Sequence, residues 1–252
     1  MGEKRIPTNL RTLLILEVLG RNDKPMSPTE MNAAIGLPKQ TIHRLVSTLV
    51  EEGFLIRDAD RNKFRPSRRL RKMGAGLLFA SRSNIMRHQI LEETAKALGE
   101  AVNFVVPEEA GMKYLDRVET NWPFRVQLPR GSNVPFHATA SGKCFMASLP
   151  KKQREKFIGS LKLEALTPNT IVEPDALMDE LATVRKNGFS QDKEELIENM
   201  TAFAVPIYDD ENRFMAALAC HGPKERFDAM EVSSVLNVLQ NNASRLQAAL
   251  LE

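Results

Sequence analysis

The sequence predicts an α+β protein in three parts: an N-terminal winged helix-turn-helix over residues 1–67, a linker helix over 68–83, and a larger domain of mixed strands and helices over 84–252. Three observations predict it. The first is an amphipathic stretch, Leu37 to Gly53, flanked by a second short helix and a charged hairpin. The second is a change of pattern after Leu98, from helical spacing to short strand-like runs bounded by Pro, Gly and Asn. The third is charge. Residues 1–83 hold 16 Lys and Arg against 8 Asp and Glu, and the remainder holds 19 against 24. A net charge of +3 therefore hides a basic first third on a mildly acidic remainder. That asymmetry is the footprint of a module that meets a polyanion, although a solvated basic surface gives the same count.

The chain of 252 residues is 42% hydrophobic and 27% charged, ordinary for a globular protein and long enough for two modest domains. Its longest apolar run, Phe214 to Cys220, is far too short to span a membrane. Met1 to Ile6 carries charges where a secretory signal needs an apolar stretch, and Ile6 breaks the myristoylation pattern. The expected location is the cytoplasm, with no membrane partner. Cys144 and Cys220 are too few for a disulfide framework.

In chain order, residues 1–8 read as a loose tail carrying Lys4 and Arg5. Asn9 is placed to cap a helix running to about Gly20, with Leu10, Leu13, Leu14, Leu16 and Val18 as its apolar face. Arg21 to Pro25 is a turn. Ser27-Pro28-Thr29-Glu30 opens a short helix with Ser at the N-cap and Pro at the first position. That helix carries Met31, Ala33, Ala34 and Ile35 and stops at Gly36-Leu37-Pro38. In the next helix Pro38 suits the first turn. Ile42, Leu45, Val46 and Leu49 recur at i, i+3, i+4 and i+7 as one apolar face, and Gly53 suits the stop.

Gln40, His43, Arg44, Ser47 and Thr48 occupy the remaining surface of that helix. A solvated polar face is the ordinary fate of an amphipathic helix. Here two helices joined by a tight Gly-containing turn form the helix-turn-helix pattern. Phe54 to Arg57, Asp58 to Asn62 and Lys63 to Pro66 then read as strand, turn and strand, a charged wing. In that setting Arg44 can donate twice to guanine and Gln40 can pair with adenine, while Thr41 or Thr48 can touch a thymine methyl or a phosphate. Ser27, Thr29, Lys39 and His43, with Arg61, Lys63 and Arg65 of the wing, complete the candidate set for double-stranded DNA. Phe54, Ile56 and Phe64 are expected to close the small core.

Ser67 caps the linker helix, in which Leu70, Met73, Gly74, Leu77 and Leu78 keep helical spacing. With no evident home in the small core, it reads as a dimerisation helix; packing on its own domain is the alternative. Arg68, Arg69, Arg71 and Lys72 sit at its start, near where phosphates would lie. Asn84 marks the boundary. A helix follows to Leu98, with Ile85, Ile90, Leu91, Ala95 and Leu98 inward. Strands are predicted at 101–106, 113–117 and 124–128, the last two separated by the Asn121-Trp122-Pro123 turn. Helices are predicted at 140–149, 151–161 and 173–187, a hairpin at 203–208 and 214–221, and a final helix at 228–251.

Cys144, Cys220, His137 and His221 are the side-chain types of a Cys–His nucleophile or a zinc site. None stands at CxxC or HxxxH spacing, and no GxGxxG, Walker or HExxH pattern occurs. Asp192, Glu194 and Glu195 read as a solvated acidic loop. No catalytic residue, metal or cofactor is expected.

Three segments, GLPKQTIHRLVSTLVEEGFL (36–55), VPFHATASGKCFMASLP (134–150) and FAVPIYDDENRFMAALACHGP (203–223), resemble the IclR-type transcriptional regulators, in order and along nearly the whole chain. The resemblance implies a winged-helix N-domain, a linker helix and a C-terminal domain similar to GAF small-molecule sensors. It implies homodimers, often paired as tetramers, that bind palindromic operators near catabolic genes, most often as repressors. It also implies an effector pocket at Ala138, Thr139, Ala140, Ser141 and Gly142, at Asp192, and at Ala202, Ala219 and His221. The residue physics agrees in part. A Ser-Gly helix start offers backbone N–H groups to a carboxylate. Strand alternation puts Ala217, Ala219 and His221 on one face, and Leu218 and Cys220 on the other.

Ala219 and His221 stand where the family's strand often ends in small hydroxyl residues. That departure suggests a larger or aromatic carboxylate, with His221 donating to it; a satisfied histidine at a strand end is the alternative. For Trp122 a surface or dimer contact is expected. The expected function is a ligand-responsive DNA-binding regulator sensing a small organic acid. The rival is a regulator whose C-domain serves only oligomerisation or protein contacts.

Overall fold

The computed structural model describes residues 6–22, 24–60, 62–80, 83–120 and 131–251. Lys4, Arg5, Arg61, Trp122 and the strand expected at 124–128 lie outside the described residues. The chain forms two compact units, residues 1–80 and 81–252.

In the first unit a 3-10 turn, Thr8–Leu10, leads into α1 (Arg11–Gly20), and Asn9 does not cap it. The buried stripe is Ile15 and Leu19, whereas Leu10 and Leu13 are exposed. The run Leu13-Leu14-Ile15-Leu16 is apolar on every side of a helix, so spacing alone could not choose the inner face. α2 (Pro28–Ile35) begins with a capping box: the Glu30 N–H donates to Ser27 Oγ at 3.2 Å, and the Ser27 N–H to Glu30 Oε2 at 2.6 Å. Gly36 takes the left-handed conformation at φ 76°. The Asn32 side chain closes the turn from both sides, donating to the Leu37 carbonyl at 2.7 Å and accepting its N–H at 2.8 Å.

α3 (Lys39–Glu51) buries Ile42, Leu45, Val46 and Leu49, as the spacing requires, with Pro38 at the N-cap position. It ends at Gly53, φ 71°, where the Phe54 N–H reaches the Leu49 carbonyl and the Gly53 N–H the Val50 carbonyl. The wing pairs β1 (Leu55–Arg57) with β2 (Phe64–Pro66), and Met26 bridges to Phe64. Leu55 lies opposite Pro66 and Arg57 opposite Phe64, so these four share one face of the hairpin, whose Leu55 and Phe64 turn into the core while Arg57 stays exposed at its edge. Leu55 and Phe64 are therefore buried, and Phe54 and Ile56 only half-buried, correcting the expected core.

Ser67 caps α4 (Arg68–Ala80), its Oγ accepting from the Leu70 N–H and donating to the Gly53 carbonyl at 2.6 Å. Leu70 packs on the unit's core, but Met73 and Leu77 are exposed. Arg69 lies over the Phe54 ring at 4.2 Å and donates to the Glu52 carbonyl; Arg71 donates to the Pro66 carbonyl at 3.0 Å. These two arginines brace the helix on its own domain.

The second unit runs α5 (Ser83–Leu98), β3 (Ala101–Glu108), β4 (Gly111–Val118), β5 (Asn133–Val134), α6 (Ala140–Ser148), α7 (Lys151–Ile158), α8 (Pro174–Asn187), β6 (Ser190–Lys193), β7 (Met200–Tyr208), β8 (Phe214–Pro223), α9 (Lys224–Asp228) and α10 (Val232–Leu251). Among the described residues the strands form one antiparallel sheet in the order β5-β4-β3-β8-β7-β6. Helices cover both faces. α5 and α10 pack on Val102, Phe104, Phe203, Val205, Leu218 and Cys220. α6, α7 and α8 pack on Val105, Met112, Tyr114 and the alanines Ala202, Ala204, Ala217 and Ala219. Ile90, Leu91, Ala95 and Leu98 point inward as expected, but Ile85 is exposed. β6 replaces the expected acidic loop, and its alternation buries Ser190 and Asp192.

Replacing Asn32 by Ala removes both hydrogen bonds that close the α2–α3 turn. We expect a loss of about 1–3 kcal/mol in the first unit, read as faster amide exchange in α2 and α3 with α5 to α10 unchanged. Equal protection in the two proteins would refute the assignment.

Candidate functional site

α3 presents Lys39, Gln40, His43, Arg44 and Thr48 to solvent, with Thr41 half-buried. The Thr48 hydroxyl donates back to the Arg44 carbonyl at 3.1 Å, leaving its methyl and its lone pairs outward. Ser27, Thr29 and His43 line one cleft of about 300 Å³ together with Ser47 and Arg57. Arg57 was not among the expected contacts. Its guanidinium stands 5.1 Å over the Phe64 ring, a position set by the wing's register and unreadable without it. Lys63 reaches Glu30 at 3.5 Å and Arg65 reaches Asp58 at 3.3 Å. Such partly exposed pairs are worth little and can be exchanged for phosphate.

In the second unit, register assembles a row across three strands: Asp192 opposite Ala202, and Ala202 opposite His221. The methyl of Ala202 between two longer side chains leaves a cavity of about 20 Å³. Thr139, Ala140, Ser141, Asp192, Ala202, Ala219 and His221 line it, joined by Asn103, Tyr114, Leu196 and Met200. Ala138 and Gly142 do not. Ala138 is fully buried before the helix, and Gly142 packs on the Phe136 backbone, where a Cβ would come within 2.2 Å of the Phe136 carbonyl oxygen. Thr139 caps α6, its hydroxyl accepting the Gly142 N–H at 3.1 Å. Asn103 and Tyr114 alternate onto the cavity face of β3 and β4, a signal present in the sequence but unread.

A cavity of this size holds roughly one water. The expectation of a roomy pocket for a larger or aromatic acid is therefore not met in this structure. The Nε2 of His221 lies 3.2 Å from Arg117 Nη2, a donor only, so Nε2 accepts and the ring proton sits on Nδ1, 3.0 Å from the Asn103 side-chain amide. A β-bulge between Phe104 and Val105 produces this arrangement, because it turns Asp116 toward Arg87 and Arg117 toward Asn103.

The acidic residues are not solvated. Asp192 is 1% and Glu195 4% exposed. Asp192 Oδ1 accepts the Glu195 N–H at 2.7 Å, whereas Oδ2 is buried with no hydrogen-bond partner. Burial, with Glu195 nearby, pushes the Asp192 carboxyl up to about 7, against the Glu195 and Leu196 N–H groups and Lys143, which hold it down. Lys143, itself 1% exposed, donates to Glu195 Oε1 at 2.6 Å and Glu180 Oε1 at 2.9 Å. Cys144 and Cys220 are buried, and burial pushes both thiols up to about 12, away from nucleophilic chemistry. His137 Nε2 meets the Glu164 carbonyl at 2.9 Å. Among the described residues no cluster of His, Cys, Asp or Glu could hold a metal ion, and no helix is long and apolar enough to cross a membrane.

A winged helix-turn-helix followed by a GAF-like α+β sensor fold defines a class of ligand-sensing DNA-binding regulators. Residues 10–59 match the IclR helix-turn-helix domain, and residues 80–248 match the bacterial transcriptional regulator IclR C-terminal domain. The chain belongs to the IclR family of bacterial transcriptional regulators. It is 38% identical over 217 residues to the probable transcriptional regulator SauR of Cupriavidus necator, covering 86% of each chain. It is 30% identical over 218 residues to the transcriptional repressor IclR of Escherichia coli, covering 86% of this chain and 80% of that one. Its fold matches the crystal structure of Thermotoga maritima IclR with a TM-score of 0.65 at 26% identity, covering 96% of this chain and 98% of the other. It also matches an IclR homologue from Microbacterium hydrocarbonoxydans complexed with 4-hydroxybenzoate, with a TM-score of 0.60 at 23% identity, covering 97% and 99%.

The folded Asp192 carboxyl titrates above the ordinary value of 3.8, so the folded state holds its proton more tightly than the unfolded chain. This residue's contribution to stability is present at low pH and is lost as pH rises toward about 7. Asp192→Asn is expected to gain stability relative to the parent at pH 8 and to lose that advantage at pH 4.5. Urea unfolding at the two pH values measures it, and a pH-independent difference would contradict the burial argument.

Proposed function

We propose that two copies of this chain set their α3 helices into successive major grooves of a palindromic operator and repress transcription until a small organic acid enters the cavity beneath β6 to β8. The observation that carries the DNA reading is α3 itself. Among the described residues the side chains of Gln40 and Arg44 have no intramolecular partner, and Ile42, Leu45, Val46 and Leu49 hold the helix from behind. Gln40 and Arg44 then read base edges. Ser27, Thr29, Lys39, Thr41, His43, Thr48 and Arg57 hold backbone, and Lys63 and Arg65 leave Glu30 and Asp58 for phosphates. Affinity falls steeply with salt. The exposed Met73 and Leu77 of α4 support dimerisation through the linker helix. Repression is supported by relatives that are named repressors.

The acid reading is supported by the cavity at the start of α6 and by the structural neighbour's 4-hydroxybenzoate complex. Thr139, Ala140 and Ser141 would receive a carboxylate at the helix start. The acid biases the linker geometry, and through it the half-site spacing.

Arg44→Ala is expected to lose operator discrimination while retaining non-specific binding. Equal loss of both, in competition against random DNA, would make Arg44 a phosphate contact. Ala202→Leu fills the space between Asp192 and His221. It should abolish the thermal stabilisation given by carboxylic acids, about 2.7 kcal/mol at a hundredfold over Kd, while leaving operator affinity intact. A parent protein that responds to no acid would favour a C-domain used only for oligomerisation.

A further inference from the structure

The cavity poses a charge problem for an acid. Among its lining residues Asp192 supplies a carboxylate, and no lysine or arginine balances it. The nearest cations are committed. Lys143 is held between Glu195 and Glu180. Arg117 stands beyond the cavity wall, donating to Asn103 Oδ1 at 3.0 Å and contacting His221 Nε2 at 3.2 Å. An anion at the start of α6 therefore faces a second buried carboxylate, and two such groups in one low-dielectric site do not both stay ionised. Asp192 has the atom that resolves this. Oδ1 is occupied by the Glu195 and Leu196 N–H groups, but Oδ2 is buried without a hydrogen-bond partner beside the cavity.

Building on the acid-effector reading, we propose that the organic acid binds together with one proton, carried on Asp192 Oδ2 and donated to the ligand's carboxylate. The proton comes from solvent, and no covalent bond changes. The free protein thus selects the acid through a neutral carboxyl group where other acid sites use a cation. Groups facing Asp192 are Lys143 from α6, Glu195 from the segment after β6, Tyr114 from β4 and His221 from β8. Lys143 favours the ionised form, while burial and Glu195 favour the protonated one, and the balance leaves the carboxyl at about 7. Protonation is thereby within reach at neutral pH without being complete, and the binding affinity becomes dependent on pH.

The test is titration calorimetry of the full chain with acetate, pyruvate, lactate, benzoate and 4-hydroxybenzoate. Each acid is measured at pH 6 and pH 8, in buffers of differing ionisation heat. For an acid that binds, we expect affinity about tenfold weaker at pH 8 than at pH 6, one decade per pH unit above the carboxyl's pKa. At pH 8 about one proton is taken up per ligand. Asp192→Asn keeps binding the same acid with the pH dependence and the proton uptake both gone. Binding without proton uptake in the parent overturns the proposal and leaves the acid reading standing. A pH dependence that survives in Asp192→Asn assigns the proton to another group, His221 first, and overturns it equally. If no acid binds at either pH, the acid-effector reading fails and the proton linkage fails with it.

Discussion

Strands β7 and β8 are buried on both faces, and most of the second unit follows from that constraint. A strand covered twice sends successive side chains into different layers. Phe203, Val205, Leu218 and Cys220 go to the α5/α10 layer, where they meet Phe104, Leu239 and Leu246 in a filled apolar interior. Ala202, Ala204, Ala217 and Ala219 go to the α6/α8 layer, where small side chains let α6 approach the sheet closely. Gly142 serves a second close approach, of α6 to the segment that leads into it, because no Cβ fits between α6 and the Phe136 backbone. The cavity at the start of α6 lies on the alanine side. It lies at the end of the sheet where Asp192 and His221 flank Ala202.

The alanine side also holds buried charges, as the α5 side does in the Arg87–Asp116 pair, and their placement is not explained by stability. Burying a charge costs several kcal/mol, and replacing a buried ion pair with apolar residues is often neutral or stabilising. Lys143 with Glu195 and Glu180 is such a group, and the buried Arg117, paired with Glu119, reaches Asn103 and His221 in the same layer. Their connections are directional. Lys143 fixes Glu195, the Glu195 N–H fixes Asp192 Oδ1, and Asp192 Oδ2 is left over. The chain of contacts positions one carboxyl group while leaving one of its oxygens unsatisfied, an arrangement suited to a ligand site.

The same double burial explains what could be read from the sequence. α3 was legible because one face is buried and one solvated, so Ile42, Leu45, Val46 and Leu49 stand out at helical spacing. The face assignment along β8 was legible because it needs only alternation. The ends of β7 and β8 were not, since a strand covered on both sides has no polar positions to mark where it stops. β7 starts at Met200 and β8 runs to Pro223, each beyond the expected bounds. β6 was missed because Ser190-Gln191-Asp192-Lys193 is polar throughout; it pairs as an edge strand through its backbone to β7. The cavity residues carried by resemblance, Asp192 and His221 among them, met there, but the approach of Arg117 to His221 depends on a bulge in β4 that no local pattern announces.

What a ligand must displace follows from the segment after β6. Glu194 and Asn199 hold left-handed conformations, φ 62° and 60°, that L residues adopt at a cost of roughly 1–2 kcal/mol each. The segment between them is clamped from several directions. The Thr167 and Thr170 hydroxyls donate to the Glu194 and Glu195 carbonyls at 2.6 and 2.7 Å, and Asp192 accepts the Glu195 and Leu196 N–H groups. Leu196 and Met200, which lie in this segment and just after it, line the cavity. A molecule larger than a water must push against Met200 or against Leu196, and pushing on Leu196 disturbs the clamp that keeps Asp192 in place. Ligand size and the environment of Asp192 are consequently coupled. An acid small enough to leave Leu196 in place meets Asp192 as it stands, whereas a larger one must loosen the N–H groups that now help to keep Asp192 ionised. Loosening them raises the carboxyl's affinity for a proton, so a larger acid would depend on that proton more strongly than a small one.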